Sequence, residues 1–558
     1  MRFMQRKRSS ESLVGKNLTA RQLPTPLFVM AMSLWGTCAG CLTALLSAER
    51  IALSWVVVAL LTVVVGIALV LTVSAQVGAI VAGVGLGFLL AFAGAHTIWQ
   101  GQLALENESG QHSFEVIEDG SETDFGTRCV ARVLDISGQP RVQVLLSEQV
   151  DTPHFGERFE GFAQFQPIQE KNRSFMWQKG IAAQAKCSSY VSVQTAGIPG
   201  LLAALRSQAL KAILSQQSEG SGVLAALVCG WRNDVPDTTN QAFKTAGLAH
   251  VLAVSGAHLS VLVALVSAIL KRLSLHRIVA VGVQVLLVAA FVLFSGASPS
   301  VLRAATMAIL AMCSVFASRR SVPLQALGLC VICGLALSPI SALSVSFALS
   351  VLATLGIMVF APLFKDWVAF AFKGRCDFLS DALSVCLAAN AATLPLSAAL
   401  FSQIPLIGVV ANVVVSPLFA PLCTLCVLCV LGSLLIPLCA PLVIPIARLA
   451  CGWFAVLVGM LARFPGACMA VDVPVVGMLV VTAIALVVLW VWWPKPSAKR
   501  WGVVGASFLT FWVVFALAAP WVAAIVAGNS VVMLDVGQGD AFLLRSRGKT
   551  VLIDTGNQ

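Results

Sequence analysis

"FKTAGLAHVLAVSGAHLSVL", residues 243–262, lies inside a long apolar region, yet it carries Lys244, Ser255, Gly256 and two of the six histidines in the chain, His250 and His258. In a soluble core such imidazoles are usually satisfied packing residues, whereas within a bilayer ionisable groups mark pathways. Composition decides which solvent applies. Apolar residues make up 58% of the 558 and charged residues 11%, against about 25% charged in soluble domains. Runs such as "WVVVALLTVVVGIALVLTV" (55–73) and "VVGMLVVTAIALVVLWVWW" (475–493) reach the length of about 20 apolar residues that crosses a bilayer core. Such runs recur too often for a single anchor or a cleaved signal peptide. The chain reads as a polytopic α-helical membrane protein.

The net charge of +11 would point a soluble chain towards nucleic acid, but membrane proteins collect Lys and Arg in cytoplasmic loops whatever they do. The basic segments are "MRFMQRKRSS" at the amino terminus, "KRLSLHR" (271–277), the pair 319–320, "KDWVAFAFKGR" (365–375) and "KPSAKR" (495–500). Placing all of them inside fixes a topology. A cytoplasmic tail and three spans, near 25–46, 51–72 and 77–98, form residues 1–99. Segment 100–198 is then extracytoplasmic, and an odd number of crossings returns the chain inside by 271. A pair at 278–296 and 301–318 puts "SGASPS" (295–300) outside, and a second pair brings 365–375 back in. Four spans near 380–400, 405–433, 438–462 and 473–493 and a last one near 502–525 leave the carboxy terminus outside.

Between 100 and 198 the chain changes character. "TRCVARVLDIS", "PRVQVLLSE", "ERFEGFAQF" and "AKCSSYVSVQ" alternate in part and are broken by Gly, Pro, Asp and Ser, the pattern of short strands. They predict a small β-barrel, with an OB-fold as one option. From Glu106 to Asp124 there are seven acidic residues and no Lys or Arg, which would repel a phosphate backbone. "EKNRSFMWQKG" (170–180) differs: Lys171, Arg173 and Lys179 interleave with Phe175 and Trp177, a mix that contacts phosphates and stacks bases. The competing view is a hairpin at the membrane interface with Trp177 in the aromatic belt. Of the 16 cysteines, Cys129 and Cys187 alone fall in this segment, so an oxidising compartment would make them a disulfide candidate. "CTLCVLC" (423–429) and "CVIC" (330–333) are flanked by Leu, Val and Pro and read as small apolar packing residues.

Residues 199–220, "GLLAALRSQALKAILSQQ" and its continuation, are amphipathic and predict a helix lying along the bilayer surface. The membrane core then occupies 221–527. Helix breaks persist in hydrocarbon where they are buried in protein or line a wet cavity, and Ser255–Gly256 is such a candidate. On an unbroken helix His250 and His258 would stand about 12 Å apart and roughly 80° around the axis, too far to share one metal ion. "GASPSVLRAATM" (296–307) places Arg303 near the start of an apolar span, where it either snorkels to the outer interface or contacts an incoming anion. Asn390, Pro395, Asn412 and Pro417 suggest kinked helices around a polar route.

Taken together, "FKTAGLAHVLAVSGAHLSVL", "SGASPSVLRAATMA", "SVSFALSVLATLGI" (344–357) and "LPLSAALFSQIPLIGVVANVVVSPL" resemble the ComEC-type competence family of DNA-internalisation channels. The order also matches: amino-terminal spans, an OB-like domain, the competence core, then a metallo-β-lactamase-like domain. "SVVMLDVGQGDAFLLRSRGKTVLIDTG" (530–556) resembles the opening β-hairpin of that last domain, with Asp535, Gln538, Gly539, Asp540 and Asp554 on its motif positions. The family's His-x-His-x-Asp-His metal cluster is not among these residues, since no histidine follows His276. Residues 528–558 are therefore expected to be an incomplete start of the domain, the chain truncated, and its nuclease activity not transferable. No cofactor is expected in the chain as given; a divalent metal would belong to a completed domain.

The resemblance implies passage of single-stranded DNA across the bacterial cytoplasmic membrane. On it, His250, Ser255, Gly256 and His258 shape a constriction, Arg303 and Lys244 meet phosphates, and Asn412 lines the path. Lys171, Arg173, Phe175, Trp177 and Lys179 are the matching DNA contacts in the OB-like domain. Expected partners are the lipid bilayer, an extracellular DNA-delivery protein, a cytoplasmic motor or ssDNA-binding protein, and a second copy in a homo-oligomer; no nucleotide-binding G-x-x-x-x-G-K-[ST] loop occurs in the chain. Three alternatives stay open: a transporter of another polar or anionic substrate, a membrane-tethered metallohydrolase, or an inactive truncated product.

Overall fold

The computed structural model describes residues 25–48, 74–106, 108–123, 126–135, 142–148, 154–187, 191–193, 197–273, 276–316, 323–373, 377–464, 466–470, 486, 530–534, 541–546 and 549–553. Two long helices open the chain, α1 (Pro26–Ala48) and α2 (Ala75–Leu105). They touch backbone to backbone. A Cβ on Gly83 would stand 2.5 Å from the Met30 carbonyl, and one on Gly87 2.5 Å from that of Leu34. This glycine pair, four apart, is the small-residue device that lets apolar helices associate where lipid supplies no hydrophobic drive.

At about 1.5 Å per residue, α2 with its 31 residues is about 46 Å long, longer than a bilayer core. Its last turns carry the β domain. Six strands follow: β1 (Ser109–Thr123), β2 (Gly126–Val133), β3 (Gln143–Glu148), β4 (Arg158–Gln166), then, after helix α3 (Glu170–Gln178), β5 (Ile181–Cys187) and β6 (Val191–Val193). The order β1-β2-β3-β5-β4 closes through a β1–β4 pairing, with β3–β5 parallel. The predicted small barrel is present. Burial alternates strictly along β4, and Phe114, Leu146, Phe159 and Trp177 fill an interior continuous with Leu34, Leu42 and Ile98 of the helices beneath.

Next come α4 (Gly197–Leu214), α5 (Glu219–Cys229), α6 (Asp237–Thr245) and α7 (Ala249–Leu252). They precede α8 (Gly256–Arg272), α9 (Arg277–Phe294), α10 (Pro299–Phe316) and α11 (Pro323–Leu337). A 3-10 turn, Pro339–Leu343, leads into α12 (Val345–Ala371), α13 (Asp377–Phe401), strand β7 (Gln403–Pro405), α14 (Gly408–Leu435), α15 (Ala440–Ala462) and β8 (Cys468–Ala470). Among the described residues six helices are long and apolar enough to span a membrane: Pro26–Leu46, Ala75–Leu105, Val345–Ala371, Leu379–Phe401, Gly408–Leu435 and Pro437–Ala462. The expected spans near 51–72, 473–493 and 502–525 lie outside the described residues.

The amphipathic helix expected over 199–220 is α4, packed against α5, α9, α14 and α15, with Arg206, Ala209, Leu210 and Ile213 buried and Ile198 and Leu201 exposed. At the carboxy end three antiparallel strands, β9 (Ser530–Leu534), β10 (Ala541–Ser546) and β11 (Lys549–Ile553), pair in the order β11-β10-β9, one strand more than the expected hairpin.

Candidate functional site

The helix break predicted at Ser255–Gly256 is real and has a defined chemistry. Helix α7 ends at Leu252, and Ser255 takes an extended conformation (φ −133°, ψ 176°) as the N-cap of α8. Its Oγ accepts from the Ala257 N–H at 3.3 Å, and its own N–H donates to His258 Nδ1 at 3.1 Å. This is a capping box in which imidazole replaces the usual Glu or Gln at the third position. Because Nδ1 accepts, the neutral ring carries its proton on Nε2. His258 is 2% exposed, its Nε2 has no protein partner, and its ring meets Phe419 edge-on at 4.8 Å. The histidine therefore satisfies one backbone donor, the Ser255 N–H, that a break in an apolar bundle would otherwise leave unpaired.

The two glycines of the motif differ. Gly247 has φ +70°, and a Cβ there would press on Pro405 at 3.0 Å, so no other residue fits without a shift. Gly256 is not needed for close approach. A Cβ would meet only Ala304 at 3.5 Å, an ordinary contact.

Beside the break is a cavity of about 360 Å³, lined by Gly256, Leu259, Ser260 and Val263 of α8, Arg303, Ala304, Met307 and Ala308 of α10, and Thr354 of α12. Arg303 Nη1 donates to Thr354 Oγ1 at 3.0 Å and meets Met307 Sδ at 3.4 Å, while Nε is buried without a partner. The Thr354 hydroxyl donates to the Ser350 carbonyl at 2.9 Å, which turns its lone pairs to the arginine. Ser300 and Ser346, 3.0 Å apart, continue this polar seam between α10 and α12. Three of the four sequence motifs thus converge on one guanidinium with unused donors. Such a group in a mostly apolar cavity favours an anion, since charge-assisted bonds strengthen as water is excluded.

Other expected residues fall elsewhere. His250 is exposed on α7 and Lys244 on the last turn of α6, neither lining the cavity. Asn412 is half-buried and donates Nδ2 to the Gly408 carbonyl of its own helix at 2.8 Å. On α3, Phe175 is 56% exposed with Lys179 Nζ 4.5 Å from its ring centroid. Arg173 lies 5.8 Å from the Trp177 ring centroid and 3.8 Å from Glu170. Trp177 itself is 3% exposed; it is a core residue with no face open to a base or to headgroups. The side chain of Lys171 lies outside the described residues. Cys129 is buried on β2, and Cys187 is half-buried at the end of β5. Strand β3 stands between β2 and β5 in the barrel. Asp535, Gln538, Gly539, Asp540 and Asp554 lie outside the described residues. Among the described residues no group of three or more His, Cys, Asp or Glu is placed to hold a metal ion. The packing view of the membrane cysteines agrees with Cys423, Cys426 and Cys429 being buried, with Cys426 Sγ 3.4 Å from Cys451 Sγ.

Two buried arginines were missed. Arg206 of α4 is 1% exposed and pairs with Asp119. Arg448 of α15, 8% exposed, donates to Gln216 Oε1 at 3.0 Å, to the Ala212 carbonyl at 2.7 Å and to Ser215 Oγ at 2.7 Å, holding the carboxy end of α4. The signal was present, since each is a cation within a mostly apolar helix.

The model of the Competence protein family matches residues 227–496. The ComE operon protein 3 of Bacillus subtilis (strain 168) is 29% identical over 350 residues, which is 61% of this chain and 42% of that protein. The chain thus spans about two fifths of the length of this curated relative. No solved structure matches it. The matched residues contain the capping box, the cavity and Arg303, and over residues 227–496 this chain is similar to the competence protein family.

Proposed function

We propose that this chain carries single-stranded DNA across the cytoplasmic membrane in competence DNA uptake. Helices α8, α10 and α12 form the outer part of the route, and Arg303 meets successive phosphates. The observation that carries this is the cavity of about 360 Å³ in which Arg303 keeps an unpartnered Nε beside a capped helix break. A conduction site needs contacts strong enough to admit an ion and weak enough to release it. One half-satisfied guanidinium among hydroxyls meets that condition better than a closed cage would. The distribution of basic loops sets the amino terminus inside and the β domain outside. That domain, taken as OB-like, would offer Phe175 and Lys179 to an arriving strand. Energy and delivery come from partners: a protein presenting DNA outside, and a motor or ssDNA-binding protein inside. No hydrolytic step is assigned to the helical bundle.

The test is transport of a labelled single-stranded oligonucleotide into vesicles containing the purified chain. Replacing Arg303 by Ala removes charge-assisted bonds worth about 1.5–3 kcal/mol, so uptake should fall about tenfold or more. Arg303→Lys should retain part of it, and uptake should weaken with salt. An Arg303→Ala chain as active as wild type, or equal uptake of an uncharged nucleic-acid analogue, would overturn the proposal. Preferred movement of another anion would instead favour a transporter of that substrate.

A further inference from the structure

Arg206 has no part in the transport reading, yet it is the largest fully buried side chain among the described residues. Its guanidinium joins three elements. Nη1 and Nη2 donate to Asp119 Oδ1 and Oδ2 at 2.7 and 2.6 Å, and Nε donates to the Cys229 carbonyl at 3.1 Å. Asp119 belongs to β1 of the barrel, where it also accepts from the Phe155 N–H at 2.8 Å. Cys229 ends α5, at a helix terminus whose carbonyls lack intrahelical partners. Nearby, Asn233 Nδ2 bonds to the Gly120 carbonyl, and the rings of His154 and Trp231 meet at 4.8 Å.

This junction presses directly on the loop that opens α10. Gly230, next to the carbonyl that Arg206 holds, has φ +72°, and a Cβ on it would stand 2.4 Å from the Ser295 carbonyl oxygen. A Cβ on Gly296 would stand 3.8 Å from Arg206 Nη2. The loop is strained: Gly296 has φ +88° and Ala297 φ +45°, a region that residues with a Cβ rarely adopt. Such strain persists only where the surroundings over-determine it. Four residues beyond Pro299, the same helix carries Arg303.

We propose that Arg206 is a positioning residue through which the docked β barrel holds the strained 295–297 loop, and with it the Arg303 cavity, in shape. Buried ion pairs add little net stability, and their best-attested use is to fix one arrangement among several. Asp119–Arg206 would do so across the boundary between barrel and bundle. Only the transport arm of the test rests on the DNA-uptake reading; the exchange arm is independent of it.

The experiment is hydrogen–deuterium exchange of the full chain in detergent, together with oligonucleotide uptake, for Asp119→Asn, Arg206→Lys and Ala297→Gly. In Asp119→Asn and Arg206→Lys, amides of 229–231 and 295–298 should exchange about tenfold faster, with strands β3 and β5 unchanged, because only the local opening becomes easier. Glycine adopts φ > 0 freely, so Ala297→Gly lets the loop keep its shape without being held. Added to Asp119→Asn, it should restore uptake to within about threefold of wild type. That recovery is not expected of a residue that merely stabilises the fold. Unchanged exchange at 295–298 in Asp119→Asn would overturn the proposal, and so would a double variant no better than Asp119→Asn alone. If even wild type moves no DNA, the uptake reading fails, and exchange alone decides on the latch.

Discussion

Arg206 and Arg448 on one hand, and Arg303 on the other, are three arginines in helices of one apolar bundle, and they are treated differently. The first two are embedded in acceptors: a bidentate carboxylate and a carbonyl for Arg206, a carbonyl, a hydroxyl and an amide for Arg448. Arg303 has one threonine hydroxyl, a thioether and an open cavity. Arg448 and Arg303 each leave Nε without a partner, so the contrast rests on the Nη groups: cations with those groups paired hold elements together, and one that faces an open cavity is available to something that arrives. The largest test of this contrast is Arg206→Ala. It leaves Asp119 without its cation, and breaking a buried pair in this way costs about 3–5 kcal/mol. Membrane levels and thermal stability of the purified chain should both drop sharply. A variant as stable as wild type would show that the pair is incidental.

Arg303→Ala sharpens the same contrast from the other side. It removes one neutral acceptor bond and exposes no orphaned charge, so its stability cost should be about 1 kcal/mol, while uptake suffers as described above. If its melting temperature fell as far as that of Arg206→Ala, Arg303 would be a structural cation too and the distinction would collapse.

Much of this was legible in the sequence, for identifiable reasons. Apolar run length and basic loops gave the helical class, and alternation in "ERFEGFAQF" gave a barrel strand whose burial alternates at every residue. The break at Ser255–Gly256 was visible because serine and glycine cap helices. What periodicity could not show was partnership between distant residues. Asp119 and Arg206 are 87 positions apart, and nothing local marks them as a pair. Trp177 misled for a related reason: "EKNRSFMWQKG" carries a helix of about two and a half turns whose faces are set by the barrel against it, so Phe175 points out and Trp177 in. Local composition does not say which aromatic is covered.

The capping box gives a smaller effect. His258→Ala removes the acceptor for the Ser255 N–H, and loss of a cap costs about 1 kcal/mol, read as a modest drop in melting temperature. His258→Gln should recover most of it, because glutamine serves the third position of capping boxes. Uptake by the Gln variant separates two roles that the sequence left together. Retained uptake means that the imidazole works as a cap; lost uptake with restored stability means that a ring able to take a proton is needed.

The smallest expected effect lies at the barrel–bundle junction. Burial pushes the His154 imidazolium pKa below its ordinary value; Glu157 and Asp119 pull it back in part, and Arg206 and Lys211 add to the lowering. The docked state therefore favours the neutral ring, whose Nδ1 is buried without a partner beside Trp231. Above the ordinary value of about 6.5 the released and docked states are both neutral, and this group contributes its full stability to docking. As pH falls below about 6.5 the released state takes up the proton first, so docking weakens until the lower, docked-state pKa is passed. Exchange of amides 229–235 should thus be faster at pH about 5.5 than at about 7.5 after correction for intrinsic rates, and His154→Phe should flatten the difference. A wild-type profile already flat across that window would leave His154 a packing residue, and would assign the junction's hold on the 295–297 loop to Asp119 and Arg206 alone.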